Sequence, residues 1–285
     1  MADDFSDILT QYSDVTPLKI GGQKAVYLIT HPIYGVSVLK LGTYSTPQTL
    51  ERIKREVAVL RDIDSCYFPK NYDFELLPNS RFLIVEEYVD CKVLSSCMQE
   101  YTNPLKALEL LKELVYGLKI LWDKQIVHRD LKPDNILIVS NGMPRIIDLG
   151  IARLLKEESL TRTLALRGPA TPRYAAPEQL LNYKNNIDFR TDQFNLGIIT
   201  LQLMSGGAHP FDPTLVGIGD TFMDNIINAR WDKSLFCDPN YSYVEPLISR
   251  LLGKEPYQRF RTYDLLINEI IACMRYSPLS RPLHG

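Results

Sequence analysis

Residues 127–137 read VHRDLKPDNIL, and this short stretch decides how the rest of the chain is interpreted. Its carboxylate, Asp130, is suited to accepting a proton, and Lys132 follows two residues later, so one loop can direct both side chains toward the same point. Asn135 adds an uncharged oxygen ligand of the kind that hard cations accept. The apolar residues 136–139 then predict a strand. The stretch therefore predicts a loop that combines a proton acceptor, a positive charge and a metal ligand.

A second polar position follows thirteen residues after Asn135, where residues 146–150 read IIDLG. This pattern predicts a short strand that ends in Asp148 and a glycine. An asparagine and an aspartate at neighbouring strand ends can bind Mg²⁺ that is also bound to nucleotide phosphates. We therefore predict that Asn135 and Asp148 are the protein ligands of a magnesium ion.

The eight residues HRDLKPDN, followed at this distance by D-L-G, resemble the catalytic and metal-binding loops of the eukaryotic-type (Hanks-type) serine/threonine protein kinases. The resemblance implies an α+β fold of two lobes, a small β-rich lobe with one main helix and a larger helical lobe. It also implies that ATP and Mg²⁺ are the cofactors and that a protein is the substrate. The sequence D-L-G-I-A-R at residues 148–153 resembles bacterial members of the family more than animal ones.

The composition argues against several other classes of function. The 285 residues are 45% hydrophobic, which is enough for one large domain or two lobes. Lys and Arg number 32 against 34 Asp and Glu, so the net charge of −2 indicates neither a nucleic-acid partner nor an anionic membrane. Five scattered cysteines without a C-x-x-C pair, and an acidic N-terminus unlike a signal peptide, indicate a cytoplasmic protein.

The first part of the chain is rich in strand patterns. We expect a flexible acidic segment over residues 1–13 and the small lobe over residues 14–89. Within this lobe, apolar residues recur at three- and four-residue steps after Pro47, which predicts one amphipathic helix among the strands.

Helical patterns dominate the second part, and residues 90–275 are predicted to form the large lobe. Its first helix is expected to be capped by Asn103, and a buried apolar helix is expected to follow Asp192. Residues 276–285 contain two prolines and are expected to form a loose tail.

The resemblance assigns the nucleotide phosphates to Lys40, which ends the strand pattern VSVLK and is expected to pair with Glu56 on the following helix. The phosphate loop departs from the family pattern G-x-G-x-x-G-x-V. Aligned on Val26, only Gly21 matches a glycine, and lysines stand at the first and third glycine positions. We therefore expect a stiffer loop, in which Ile20 and Gly21 contact the nucleotide.

The adenine is expected, by resemblance, to bind backbone groups of Glu87 and Val89. Its ring is expected to lie between apolar side chains, namely Val26, Val38 and Leu137. Glu86 falls at the position that limits the back of this pocket, where many relatives have an apolar residue. A buried charge needs a partner or water. Either the alignment slips by one residue, or Glu86 finds a partner such as a lysine.

The resemblance gives the catalytic loop defined roles. Asp130 is expected to orient the substrate hydroxyl and accept its proton, and Lys132 to neutralise charge on the transferred phosphoryl group. His128 is expected to be structural, because a lone histidine beside an apolar residue is more often packed than catalytic. Asp192 is expected to anchor the backbone of this loop from a buried helix.

Residues 148–178 resemble the activation segment, which ends in the A-P-E motif that contains Glu178. Glu178 is expected to form a buried ion pair with Arg259. Hydroxyls in the polar middle of the segment predict autophosphorylation, with Thr161 or Thr163 as the expected site. A regulatory protein partner is the alternative route of control.

Three functions compete for this sequence. An active serine/threonine protein kinase is the leading hypothesis, because a lysine two residues after Asp130 is the serine/threonine pattern. A small-molecule kinase of the aminoglycoside-phosphotransferase kind has a similar Asp-to-Asn loop but lacks the A-P-E segment. A pseudokinase, acting as a nucleotide-binding or protein-interaction module, is favoured only by the altered phosphate loop and Glu86. Phosphate transfer from ATP to a generic protein such as casein would separate them.

Overall fold

The computed structural model describes residues 5–20, 24–148, 173–217 and 221–277. These residues divide into two compact units. The first unit holds the described residues up to Asp90 together with Ile147 and Asp148, and the second holds Cys91–Ile146 with the described residues from 173 onward. The first unit is a sheet with two helices and the second is mainly helical. The predicted α+β class, with a small β-rich lobe and a larger helical lobe, is confirmed.

An antiparallel sheet of five strands forms the first unit, in the spatial order β1-β2-β3-β5-β4. The strands are β1 (Ser13–Ile20), β2 (Lys24–His31), β3 (Gly35–Thr43), β4 (Asn71–Leu77) and β5 (Arg81–Glu87). A short helix α1 (Ser6–Leu9) precedes the sheet, and α2 (Pro47–Arg61) follows β3 in the chain.

The two central strands, β3 and β5, carry apolar side chains on both faces of the sheet because successive side chains point to opposite sides. One core contains apolar residues of β2, β3 and β5, including Leu39 and Val85. A second cluster joins Ile53 of α2 to Phe82 and Ile84. Any polar side chain in the middle of β3 is therefore removed from most of the solvent.

The N-terminal segment is partly ordered, in contrast to the expectation of a flexible lead-in. Phe5 and Ile8 are buried in the core of the sheet. The Arg81 guanidinium donates hydrogen bonds to both carboxylate oxygens of Asp7, at 2.9 and 2.8 Å. The expectation is wrong for the described residues 5–12, because two apolar side chains in this polar segment are enough to dock one helical turn against the sheet.

Helices make up most of the second unit. They are α3 (Pro104–Trp122), α4 (Pro177–Leu180), α5 (Phe189–Met204), α6 (Pro213–Val216), α7 (Phe222–Ile227), α8 (Pro239–Ser242), α9 (Glu245–Leu251) and α10 (Tyr263–Tyr276). A small antiparallel sheet consists of β6 (Cys91–Val93), β7 (Ile136–Val139) and β8 (Pro144–Ile146). The predicted catalytic loop connects α3 to β7.

Two helices, α3 and α5, fix the position of that loop. Helix α3 begins where predicted, since the Asn103 side chain accepts hydrogen bonds from the N–H groups of Leu105 and Lys106. Every residue of α5 from position 191 onward is buried. Gly197 allows this close packing, because a Cβ there would lie 2.8 Å from Leu252 Cδ2. None of the described helices combines the length and the apolar character that a bilayer span requires.

Candidate active site

The predicted catalytic residues of the second unit lie together in one loop. Lys132 Nζ is 3.0 Å from Asp130 Oδ2. The amide nitrogen of Asn135 donates to the Asp130 carbonyl oxygen at 2.8 Å and to Asp130 Oδ2 at 3.2 Å. Because its amide nitrogen faces Asp130, Asn135 would bind a cation through Oδ1. The loop thus joins a partly exposed carboxylate, an ammonium group and an amide oxygen.

Asp192 on α5 holds the backbone of this loop, as predicted. Its Oδ2 accepts hydrogen bonds from His128 N and Trp122 Nε1, and its Oδ1 accepts one from Arg129 N, all at 2.9 Å. Arg129 has a positive φ of 63°, so the chain turns sharply just before Asp130. Burial raises the pKa of the Asp192 carboxyl, while the nearby His128 and the three donors act in the opposite direction.

His128 has the structural position that was expected. Its side chain is fully buried. Its Nδ1 accepts a hydrogen bond from the N–H of Asp130 at 3.3 Å. The ring therefore supports the backbone at Asp130 rather than pointing toward solvent.

The first unit contains a buried cluster of three charges around Lys40. Lys40 Nζ lies 2.5 Å from Glu86 Oε2 and 3.0 Å from Asp148 Oδ1, and only 6% of the lysine side chain is exposed. Burial alone lowers the pKa of Lys40, but the charges and hydrogen bonds of Asp148 and Glu86 outweigh this and raise it. Lys40 is therefore a cation at neutral pH.

This cluster bears on two expectations. A lysine partner was one of the two explanations left open for Glu86, and Lys40 is that partner. The side chain of Glu56 lies outside the described residues, so the predicted Lys40–Glu56 pair stays a prediction. Sequence analysis did not anticipate that Lys40 itself would bind Glu86. Both residues lie on strands that were predicted, but the register that brings them together was not.

The other predicted nucleotide contacts divide between the two units. In the first unit Val26 lies opposite Lys40 in the β2–β3 pairing, and Val38 lies on β3 two residues before Lys40. The N–H of Glu87 donates to Lys70 O at 2.8 Å. The remaining predicted residues are Val89, which is buried in the first unit, Leu137 on β7 of the second unit, and Ile20 and Gly21. The Ile20 side chain and Gly21 lie outside the described residues.

The end of the activation segment is bound to the catalytic loop through Gln179, which sequence analysis missed. Its Oε1 accepts from the N–H of Ala176, and its Nε2 donates to the carbonyl oxygen of Arg129, both at 3.0 Å. The signal was its place three residues after Ala176, the N-cap residue of α4, where a glutamine side chain often accepts a hydrogen bond from the N-cap N–H. Residues 149–172, with Thr161 and Thr163, lie outside the described residues.

A family model described as a protein kinase domain matches residues 21–271 of the chain. The chain belongs to the protein kinase family. Asp130, Lys132, Asn135 and Asp148 of this kinase domain all fall within the matched region.

Several kinases, among them bacterial serine/threonine-protein kinases, resemble this kinase domain. It is 32% identical to pkn2 of Myxococcus xanthus over 270 residues, which cover 90% of this chain and 31% of pkn2. It is 27% identical to PrkC of Bacillus subtilis over 257 residues, 86% of this chain and 37% of PrkC. It is also 32% identical to human myosin light chain kinase family member 4 over 225 residues, 76% of this chain and 54% of that protein. The chain thus spans about a third of each bacterial relative, and these relatives agree with the expected bacterial type.

Proposed function

We propose that this kinase domain transfers the γ-phosphate of Mg-ATP to serine and threonine hydroxyls of proteins. The observation that carries the proposal is the contact of Asp130 Oδ2 with both Lys132 Nζ, at 3.0 Å, and Asn135 Nδ2, at 3.2 Å. Phosphoryl transfer depends mainly on positioning and on electrostatic stabilisation, and this loop supplies groups for both. The serine/threonine kinases among the relatives support the same reaction.

The chemistry of the donor groups fits Mg-ATP. Lys40 is a buried cation suited to the α- and β-phosphates. Asp148 and Asn135 offer a carboxylate and an amide oxygen, and Mg²⁺ in nucleotide sites is usually bound by one or two such groups together with substrate phosphates. Bound Mg²⁺ would neutralise phosphate charge. Glu56 is proposed to pair with Lys40, and the residues proposed to surround the nucleotide itself are Ile20, Gly21, Val26, Val38, Glu87, Val89 and Leu137.

Asp130 and Lys132 would act on the transferred group. The Asp130 side chain is 38% exposed, so a substrate hydroxyl can reach it, donate a hydrogen bond and pass its proton to the carboxylate as the new bond forms. The Lys132 ammonium group would stabilise the negative charge of the phosphoryl group in transfer. Its contact with Asp130 keeps it in position beforehand.

The setting proposed for this activity is the cytoplasm, where ATP is available. The five cysteines, all in the described part of the chain, form no disulfide, which supports a reducing compartment. Protein substrates follow from the family, and a regulatory protein partner is a further proposal.

The test is incubation of the purified chain with casein and Mg-ATP labelled at the γ-phosphate, followed by phosphoamino-acid analysis. Label should appear on serine and threonine. Asp130→Asn should lose transfer and keep ATP affinity, because Asp130 contacts the acceptor rather than the nucleotide. Asp134→Asn, at an exposed acid in the same loop, is the matched control and should stay active.

Near-normal turnover in Asp130→Asn would contradict the proposal. ATP binding without transfer by the wild type would support a pseudokinase.

The same incubation, without casein, tests the proposed autophosphorylation. Mass spectrometry should locate phosphate at Thr161 or Thr163. After phosphatase treatment, preincubation with ATP should activate the wild type but not the Thr161→Ala/Thr163→Ala double variant. An equal response of both proteins would favour control by a partner instead.

A further inference from the structure

Glu86 is a charged residue in the interior of the first unit. Its side chain is only 14% exposed, and its Oε2 lies 2.5 Å from Lys40 Nζ. An ionised carboxylate is costly to bury unless a charged or hydrogen-bonding partner compensates for the lost water. Lys40 supplies that partner, so the two side chains stabilise each other's charged forms.

The contact follows from the register of two adjacent strands. On β3 and β5, Lys40 is opposite Ile84 and Val38 is opposite Glu86. Directly opposed residues share a face of the sheet, so Glu86 is the diagonal neighbour of Lys40 on the same face, within reach of a long side chain. The backbone pairing of β3 with β5 sets the neighbouring positions of Lys40 and Glu86, so these positions do not depend on where α2 lies.

Among the described residues, two acids contact the ammonium group of Lys40. An ammonium group has three N–H donors, and the carboxylates of Glu86 and Asp148 account for two of the contacts of Lys40. The two acids therefore restrain the ammonium group from two directions, and within the described part of the chain one N–H is left for a phosphate oxygen.

We propose that Glu86 is a positioning residue that holds Lys40 from within the sheet, so that binding of nucleotide phosphates by Lys40 does not depend on an acid carried by α2. This rests on the proposed function, because it specifies how the same nucleotide site is organised. It also bears on regulation. In a domain whose lysine is aligned by β5, the ammonium group is ready to bind phosphate whatever the position of α2. Regulation must then act on the binding of the acceptor or on the activation segment rather than on this lysine.

The test compares three substitutions of Glu by Gln, which remove a charge and keep the size. Affinities for ATP and for adenosine are measured by calorimetry. Glu86→Gln should weaken ATP binding and leave adenosine binding unchanged, because adenosine has no phosphate for Lys40 to contact. We expect kcat/KM for ATP to fall by about 100-fold, the loss that a misplacement of about 1 Å can cause. Glu75→Gln, at an exposed acid of neighbouring β4, is the control and should behave as wild type.

The third variant, Glu56→Gln, decides which acid holds the lysine, and it should weaken ATP binding less than Glu86→Gln. A larger loss in Glu56→Gln would overturn the proposal in favour of the α2 acid. Unchanged ATP binding by Glu86→Gln would overturn the proposal too, since Glu86 would then have no role in binding. Tighter ATP binding would also overturn it, since Glu86 would then compete with phosphate for Lys40. Glu86→Asp, which keeps the charge, should recover part of the loss. If adenosine binding falls along with ATP binding, Glu86 is merely structural.

The binding comparison needs no turnover. A protein that fails to phosphorylate casein but shows the ATP-specific loss would refute the proposed kinase activity and leave the role of Glu86 standing. An active kinase whose Glu86→Gln variant binds ATP normally would give the reverse result.

Discussion

Arg259 and Glu178 form a buried ion pair with two parallel hydrogen bonds. Arg259 Nη1 donates to Glu178 Oε1 at 2.7 Å, and Nη2 donates to Oε2 at 2.9 Å. The two side chains are 0% and 2% exposed. The guanidinium also donates to the carbonyl oxygens of Arg190, Gly253 and Lys254. The predicted pair is confirmed, and it ties the A-P-E motif to the chain that precedes α10.

We expect Glu178→Ala and Arg259→Ala each to lower the free energy of unfolding by about 3–5 kcal/mol, because removing one partner leaves the other buried and uncompensated. Urea denaturation followed by circular dichroism measures this. Lys233→Ala, which breaks the exposed Lys233–Glu245 pair, is the control and should leave the midpoint nearly unchanged. Unchanged midpoints for both core variants would contradict the prediction.

Replacing Asp192 tests how far the catalytic loop depends on its anchor. In Asp192→Asn an amide group would face N–H donors, so at least one of the three bonds is lost, at a cost of about 1–3 kcal/mol for a buried donor left unsatisfied. We expect lower stability and lower kcat, with the KM for ATP little changed. Asp238→Asn makes the same chemical change at the exposed cap of α8, where asparagine caps equally well, and should match wild type. A normal kcat in Asp192→Asn would show that the loop is held by other contacts.

His209 should make the second unit sensitive to acid. Burial and, to a smaller extent, the nearby Arg173 guanidinium together lower the pKa of His209 to about 4, against a smaller opposing effect of Asp212. The ordinary value is about 6.5. Above that pH the ring is neutral in both folded and unfolded chains. As the pH falls toward 4, only the unfolded chain binds the proton, so about 3 kcal/mol of stability is lost.

Urea denaturation of wild type and His209→Gln between pH 7 and pH 4 measures this loss. Glutamine does not titrate, so the difference in unfolding free energy between the two proteins should shrink as the pH falls. Parallel pH curves for both proteins would mean that His209 does not carry the effect.

The proposed metal ligands should differ in strength. Asp148→Ala should weaken Mg-ATP binding strongly, because it removes a charged ligand, and Asn135→Ala should do so more mildly, because it removes a neutral one. Titration of ATP with and without Mg²⁺ separates loss of the metal contact from loss of the nucleotide. Asp134→Ala is the control in the same loop. Equal Mg-ATP affinity in Asp148→Ala and wild type would show that the metal assignment is wrong.

Much of the fold was predictable because its signals are local. Asn103 marks the start of α3, and the apolar residues at three- and four-residue steps after Pro47 mark α2. Both signals depend only on residues that are near each other in the sequence. The loop motif likewise brings Asp130, Lys132 and Asn135 together, because the last lies only five positions after the first. The packing of the N-terminal residues Phe5 and Ile8 on the sheet was not predictable from such local signals. Docking of Phe5 depends on a core that is built by distant strands.

The sequence by itself determined the class of the domain and the residues that are candidates for chemistry, because their types and short spacings carry that information. Only the tertiary structure decided which acid contacts Lys40. Glu86 lies 46 residues from Lys40 in the chain, and their contact depends on β5 pairing with β3 in one particular register. A shift of one residue would turn Glu86 to the opposite face of the sheet. Register is set by the packing of the whole sheet, and no local pattern around either residue records it.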